Sequence, residues 1–237
     1  VYDGVYQYED FNEVAPGVFQ LKPEIPNNTN ERANIKPGDP KLKDINGDGK
    51  VTAEDQTVIG HGLPIHTGGF TNNFEWKGFD LSIFFQWSYG NDVINYNRAR
   101  LESLDGRHLN QLATVKNHWT PRTTLADNTV VEGNYTNYLW AVNRGLSNIH
   151  TSREVEDASF LRLKNVQLGY RFPNKVLKRL HLSSLRMYIS AQNLYTWTSY
   201  TGYDPEVSTR NSAMTRGFDY SAYPKAKTFT FGVELAL

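Results

Sequence analysis

The chain has 237 residues, 25 Lys+Arg balanced by 25 Asp+Glu, and no cysteine. Neutrality argues against nucleic acid as the main partner, since counterion release needs a cationic surface, and the lack of thiols excludes a disulfide framework, Cys-bearing zinc sites and thiol catalysis. Aromatic residues reach 13% within a hydrophobic total of only 39%, a composition that points to β-structure and away from a helical bundle.

The chain opens Val1-Tyr2-Asp3-Gly4 without the basic and apolar regions of a signal peptide, which reads as a mature form or an internal fragment. Residues 1–8 predict a short strand. Residues 9–63 are rich in Pro, Asn, Asp and Gly and carry no sustained periodicity, so they read as a long loop; Pro23, Pro26, Pro37 and Pro40 forbid any lengthy helix there.

Inside that loop, Asp44-Ile45-Asn46-Gly47-Asp48-Gly49-Lys50-Val51-Thr52-Ala53-Glu54-Asp55 has the spacing of a calcium loop. Oxygens of Asp44, Asn46 and Asp48 fall at alternate positions, Gly49 allows the sharp turn, the Lys50 carbonyl points inward, Thr52 holds a water and Asp55 closes the shell. Asp replaces the usual Glu at the last position, and Pro37 and Pro40 leave no entering helix, as in the dockerin-type variant. The alternative is a surface loop of Asx-turns with no metal.

From about residue 64 the pattern changes. Phe70, Phe74 and Trp76 share one phase against Thr71, Asn73 and Glu75, and Lys77-Gly78 signals a tight turn. Phe79, Leu81, Ile83, Phe85 and Trp87 then alternate with Asp80, Ser82, Phe84, Gln86 and Ser88, the signature of a two-stranded hairpin. Residues about 92–155 form a second long polar region with short helices expected near Ile94–Leu104 and Leu109–His118. Ser159–Phe172 is a strand whose apolar phase slips between Leu163 and Val166, which predicts a β-bulge near Asn165. Leu185–Trp197 is another strand, residues about 200–224 are loop, and Phe229, Phe231, Val233, Leu235 and Leu237 alternate to the end.

About six long strands are thus joined alternately by tight turns and by very long polar loops. That asymmetry belongs to outer-membrane barrels, which have short turns on one side and long loops on the other; a soluble antiparallel sandwich alternates equally well. No apolar run approaches the ~18–20 residues of a membrane helix, which leaves a barrel open because lipid-facing and lumen-facing residues alternate. The histidines at 61, 66, 108, 118, 150 and 181 show no metal or protease spacing. No nucleophile elbow, phosphate loop or dinucleotide fingerprint occurs, so no catalytic residue is assigned. Trp119, Trp140, Trp197, Tyr135, Tyr138, Tyr195, Tyr200 and Tyr203 crowd the loops and strand ends, where such rings stack on sugars, form an interfacial girdle, or pack the loops on themselves.

Five stretches taken together resemble the SusC/RagA-type TonB-dependent outer-membrane transporters: DINGDGKVTAEDQTVIG, GGFTNNFEWKGFDLSIFFQWSYGNDVIN, VEDASFLRLKNVQLGYRFP, LRMYISAQNLYTWTSYTGYDPEVS and GFDYSAYPKAKTFTFGVELAL. They follow the family's order across residues 39–237. The resemblance implies an all-β fold, the C-terminal portion of a transmembrane β-barrel. Six strands at ~4.8 Å spacing do not close a barrel of about 22 strands with a plugged lumen, so the plug and the TonB-contacting segment lie outside this chain. It further implies import of oligosaccharides or peptides with a SusD-like surface lipoprotein as lid, in the bacterial outer membrane. Residues 1–8 become a barrel strand, 9–63 an extracellular loop rigidified by a structural Ca²⁺, and 64–237 the remaining strands. Phe79, Leu81, Ile83, Phe85, Trp87, Phe229, Phe231 and Val233 would meet outer-membrane lipid. Two other readings are a soluble calcium-binding β-sandwich that binds glycans, with its apolar faces turned inward, and a secreted hydrolase.

Overall fold

The computed structural model describes residues 1–104, 110–145, 149–206 and 217–237. His108, the start of the helix expected over Leu109–His118, Val207-Ser208 and the rest of 207–216 lie outside the described residues. In chain order the strands are β1 (Tyr2–Val5), β2 (Phe11–Ala15), β3 (Val18–Leu21), β4 (Pro40–Leu42), β5 (His66–Trp76), β6 (Phe79–Tyr89) and β7 (Asp92–Asn95). Helix α1 (Tyr96–Leu101) follows, then the short strands β8 (Thr123–Thr124), β9 (Val130–Val131) and β10 (Val155–Asp157). Strand β11 (Phe160–Arg171), helix α2 (Asn174–Leu180), β12 (Ser184–Thr198), β13 (Phe218–Asp219) and β14 (Thr228–Ala236) complete the order. The chain forms two compact units, Val1–Gly60 with Asn95–Val155, and His61–Ile94 with Glu156–Leu237.

In the first unit the structure corrects two expectations. Residues 1–8 do not supply a strand of the large sheet; β1 pairs antiparallel with β4 in a ladder of its own. Residues 9–63 are folded rather than one loop: β2 and β3 form a hairpin through Pro16-Gly17, and Tyr6, Phe11, Leu21 and Ile35 bury together with Phe19 and Ile25 against them. These apolar residues sit at irregular intervals, so no period announces them. Side chains hold the backbone where no ladder exists: Asn28 Nδ2 donates to the Pro40 carbonyl at 2.9 Å, the Lys36 amide donates to Asp39 Oδ2 at 2.8 Å, and Arg32 donates to the Ile25 carbonyl at 2.7 Å.

The other half of this unit is organised by a buried carboxylate. Glu102 accepts from Arg153 at 2.6 Å, Arg98 at 3.1 Å, the Thr114 hydroxyl at 2.5 Å and the Tyr138 hydroxyl at 3.0 Å. Burial pushes its pKa up, but the Thr114 hydroxyl and the Arg153 guanidinium outweigh this and hold it below the usual range. A depressed carboxylate stabilises the fold above its unfolded pKa, about 4.3 for Glu, and that contribution is lost as pH falls from there through the folded value. Protease resistance of residues 95–155 should therefore weaken on acidification below about pH 4, and Glu102→Gln should flatten that dependence. An unaltered acid profile in the variant would remove Glu102 from the account.

The second unit is built on one five-stranded antiparallel sheet, ordered β14-β12-β11-β6-β5. The β5–β6 hairpin runs in register from His66↔Tyr89 to Trp76↔Phe79. Its two-residue turn has φ of 48° at Lys77 and 90° at Gly78, the doubly positive geometry that matches the twist of the flanking strands. The expected bulge is present: across β11 and β6 the register steps from Leu163↔Phe85 to Asn165↔Phe84, leaving Lys164 as an extra residue. Strand β12 takes up a second one, for its register with β11 steps from Leu163↔Tyr195 to Asn165↔Gln192. One extra residue reverses the apolar phase of β11 between Leu163 and Val166. Two extra residues restore it in β12, which is why Ala191 and Tyr195 keep the same parity. Beside the sheet, Val93, Ala158 and Tyr200 form a small core, and Tyr200 donates to Asp219 Oδ2 at 2.7 Å.

Candidate functional site

The sheet has two chemically different faces. On one, the register sets Phe74, Leu81, Leu168, Ile189 and Phe231 side by side on the five strands. Asn72, Ile83, Val166, Ala191 and Phe229 form the next row, and Trp76, Phe79, Tyr170, Met187 and Val233 the row on the other side. All eight residues expected to meet lipid, Phe79, Leu81, Ile83, Phe85, Trp87, Phe229, Phe231 and Val233, lie on this face. It is bare: Phe74 is 57%, Ile189 51% and Phe229 67% exposed. A sandwich would have closed these side chains against a second apolar layer.

Aromatic rings bound this band at both ends. Trp76, Phe79 and Tyr170 stand at the tight-turn end, with Phe79 and Tyr170 centroids 4.6 Å apart. At the other end Trp87 and Trp197 both flank Leu161, and Tyr195 packs on Trp197 at 4.8 Å. Gly68 makes room there, because a Cβ on it would clash with the Trp87 ring. From Phe79 to Trp87 a strand rises about 27 Å at ~3.4 Å per residue. Tilted by ~40°, that spans roughly 21 Å, close to the ~25 Å apolar band between aromatic girdles of an outer-membrane barrel.

The opposite face is polar and cross-linked. Arg162, only 2% exposed, donates to Asp204 at 2.5 Å, Glu206 at 3.1 Å and the Thr196 hydroxyl at 3.0 Å, and its guanidinium lies over the Phe160 ring. Lys225 and Lys164 also pair with Glu206. Further along, Arg186 donates twice to Asp80, at 3.0 and 2.6 Å, and once to Glu234 at 3.0 Å. A cavity of about 320 Å³ opens beside the Arg162 network, lined among others by Thr67, Gln86, Ser88, Asn91, Phe160 and Glu206. These groups escape a sequence reading, since Arg162 and its acids are 42 and 44 residues apart; the only trace is the Tyr203-Asp204-Pro205-Glu206 string.

In the first unit, the loop over residues 44–55 is a ladder of Asx-turns. Asp44 accepts from the Gly47 and Gly49 amides at 2.7 Å each, Asn46 from Asp48 at 3.0 Å, and Asp48 from Lys50 at 2.8 Å. Gly47 and Gly49 take φ of 79° and 81°. Asp55 is buried and accepts from the Thr52 amide at 2.7 Å, Ile45 at 2.8 Å and Asn46 at 3.3 Å. The Thr52 and Ile45 amides hold its pKa below the usual carboxylate range. Thr52 also caps the 3-10 turn Ala53–Asp55. Among the described residues, no three His, Asp or Glu side chains converge closely enough to hold a metal ion.

The loop aromatics divide. Trp119 and Tyr200 are buried, Trp140 and Tyr138 pack on Arg153, and Tyr135 and Tyr203 are exposed. Of the histidines, His66 accepts from Trp87 Nε1 at 3.1 Å, His118 meets the Val115 carbonyl at 2.8 Å, and His150 packs on Tyr96.

A sheet that is apolar outward between two aromatic girdles and polar inward is an arc of an outer-membrane β-barrel. No protein-family model matches the chain, but curated relatives do. It is 35% identical to TonB-dependent receptor P3 of Formosa agariphila over 99% of this chain and 21% of the receptor. With TonB-dependent receptor P39 of the same organism it shares 30% over 98% of this chain and 24% of the receptor. With TonB-dependent receptor SusC of Bacteroides thetaiotaomicron the identity is 28% over 85% of this chain and 18% of the receptor. The chain spans about a fifth of the length of these relatives. Among solved structures, that of the RagAB peptide transporter matches 72% of this chain and 17% of its own at TM-score 0.58 and 32% identity. The RagAB peptide importer in its closed-closed state matches 85% and 21%, at TM-score 0.62 and 29% identity. The chain belongs to the SusC/RagA-type TonB-dependent outer-membrane transporters and forms part of their barrel.

Proposed function

We propose that this chain is the barrel arc of a nutrient importer of the outer membrane that works with a SusD-like surface lipoprotein and takes oligosaccharides or peptides, powered through TonB. The outward face, apolar in its three central rows except for Asn72, carries the reading, because nothing but lipid or more apolar protein suits it. The inner face supplies the hydrogen-bonding wall of a polar path, and the chain's share of the work is scaffold and pore mouth, with no reaction assigned to it. Fractionation of the full-length protein tests this. Recovery solely in detergent-solubilised outer membrane, at a mass several times 27.1 kDa and together with a surface lipoprotein, is the expected result. A soluble species of 27.1 kDa would overturn it in favour of a glycan-binding module.

The loop at 44–55 fits a structural calcium ion in its donor chemistry, which is all oxygen, and in its two glycine turns. Asp44, Asn46, Asp48, the Lys50 carbonyl, Thr52 through a water, and Asp55 would hold it once the carboxylates, which do not converge here, turn from the backbone amides they accept from, and the ion would cross-link the loop. Added calcium should then slow proteolysis near residue 50, and Asp48→Ala should abolish that protection. Protection that never depended on calcium would leave an Asx-turn loop stabilised by its own amides.

A further inference from the structure

We propose that α2 binds the headgroups of anionic phospholipid at the membrane surface on the tight-turn side of the sheet, an inference that rests on the barrel reading above. The β11–β12 connection leaves the same end of the sheet as the Lys77-Gly78 turn, since Tyr170 pairs with Phe79 and Arg171 with Arg186. Instead of a tight turn it carries a short helix with Lys175, Lys178 and Arg179, and no acidic residue lies between Pro173 and His181. In a chain of zero net charge this is a local excess of three cations.

Two observations turn that excess toward lipid. First, all three cations are exposed, and none forms an ion pair among the described residues. The inward cation at this end, Arg186, is by contrast neutralised by Asp80 and Glu234. Second, α2 is continuous with the apolar band. It springs from Phe172, whose amide donates to the Leu185 carbonyl at 3.0 Å and whose ring packs on Tyr170 of the girdle at 5.1 Å. Leu177 is buried beneath it, while Leu180 is 53% exposed. A short helix with apolar residues at the edge of a lipid-facing band and cations above them suits the phosphate level of a bilayer. Lys77, over the Trp76 ring at 4.8 Å, adds a further cation at this end.

The test uses the full-length protein in phosphatidylcholine vesicles containing a minor share of phosphatidylglycerol, with spin-labelled forms of both lipids reporting which one contacts the protein. The wild type should select phosphatidylglycerol, and rising salt should erode the preference. Lys175→Gln/Lys178→Gln/Arg179→Gln should lower it by at least about fivefold at low salt, the worth of one cation near an anionic surface. Lys175→Arg/Lys178→Arg should keep it. Retained selectivity in the neutralised variant, or selectivity indifferent to salt, would overturn the proposal. Vesicle flotation separates the two failures: protein that does not float with vesicles defeats the barrel reading itself, whereas floating protein without lipid preference defeats only the role of α2.

Discussion

Ile83→Arg is expected to destabilise the barrel by ~2–4 kcal/mol, whereas Ser82→Arg one residue away should cost far less. Ile83 lies four residues from Phe79 and four from Trp87, midway between the girdles, and its row neighbours on the outward face are Asn72 and Val166. A guanidinium there meets hydrocarbon at the depth where it costs most. Ser82 faces inward between Asn73 and Gln167, where water and polar side chains receive the charge. Urea unfolding of the full-length protein in bilayers, compared across the two variants, is the measurement. Equal cost at both positions would mean that the strand phase, and with it the lipid-facing assignment, is wrong. A sandwich core would also punish Ile83→Arg, but it would do so in the absence of any bilayer.

The β5–β6 hairpin was legible because nearly all of its side chains obey one rule, apolar outward and polar inward, with Asn72 and Phe84 among the exceptions, and because Lys77-Gly78 marks a turn of positive φ. The slip in β11 was legible for the same reason, since a one-residue insertion leaves a visible scar in a period-2 pattern. The double insertion in β12 left none, because two residues restore the parity. The short strand within residues 1–8 is present as β1, but its pairing with β4 and the folding of residues 9–63 were not legible, because Tyr6, Phe11, Leu21 and Ile35 reach a common core through irregular backbone and no local period marks that route. The inner-face network was hidden for a related reason. A lone Arg162 among apolar residues gives no hint of which acid answers it, and only the packing of the chain after β12 supplies Asp204 and Glu206.

That network carries the second large expectation: Arg162→Met should cost ~3–5 kcal/mol, the usual penalty for stranding one member of a buried ion pair. The loss falls mainly on Asp204, which is buried beside Arg162, while Glu206 keeps Lys225 and Lys164. Burial raises the pKa of Asp204, and the Glu206 amide and the Arg162 guanidinium together hold it below the usual range. Without the guanidinium the balance shifts toward protonation or toward expulsion of the loop. Limited proteolysis should therefore open the segment between Thr198 and Glu206 in the variant, at the pore-mouth end of the sheet. Adding Asp204→Asn to Arg162→Met should cost less than the two changes summed, because the second removes the charge that the first left unpaired. Strict additivity, or a cost for Arg162→Met below about 1 kcal/mol as for an exposed ion pair, would mean that Arg162 does not hold this loop against the inner wall.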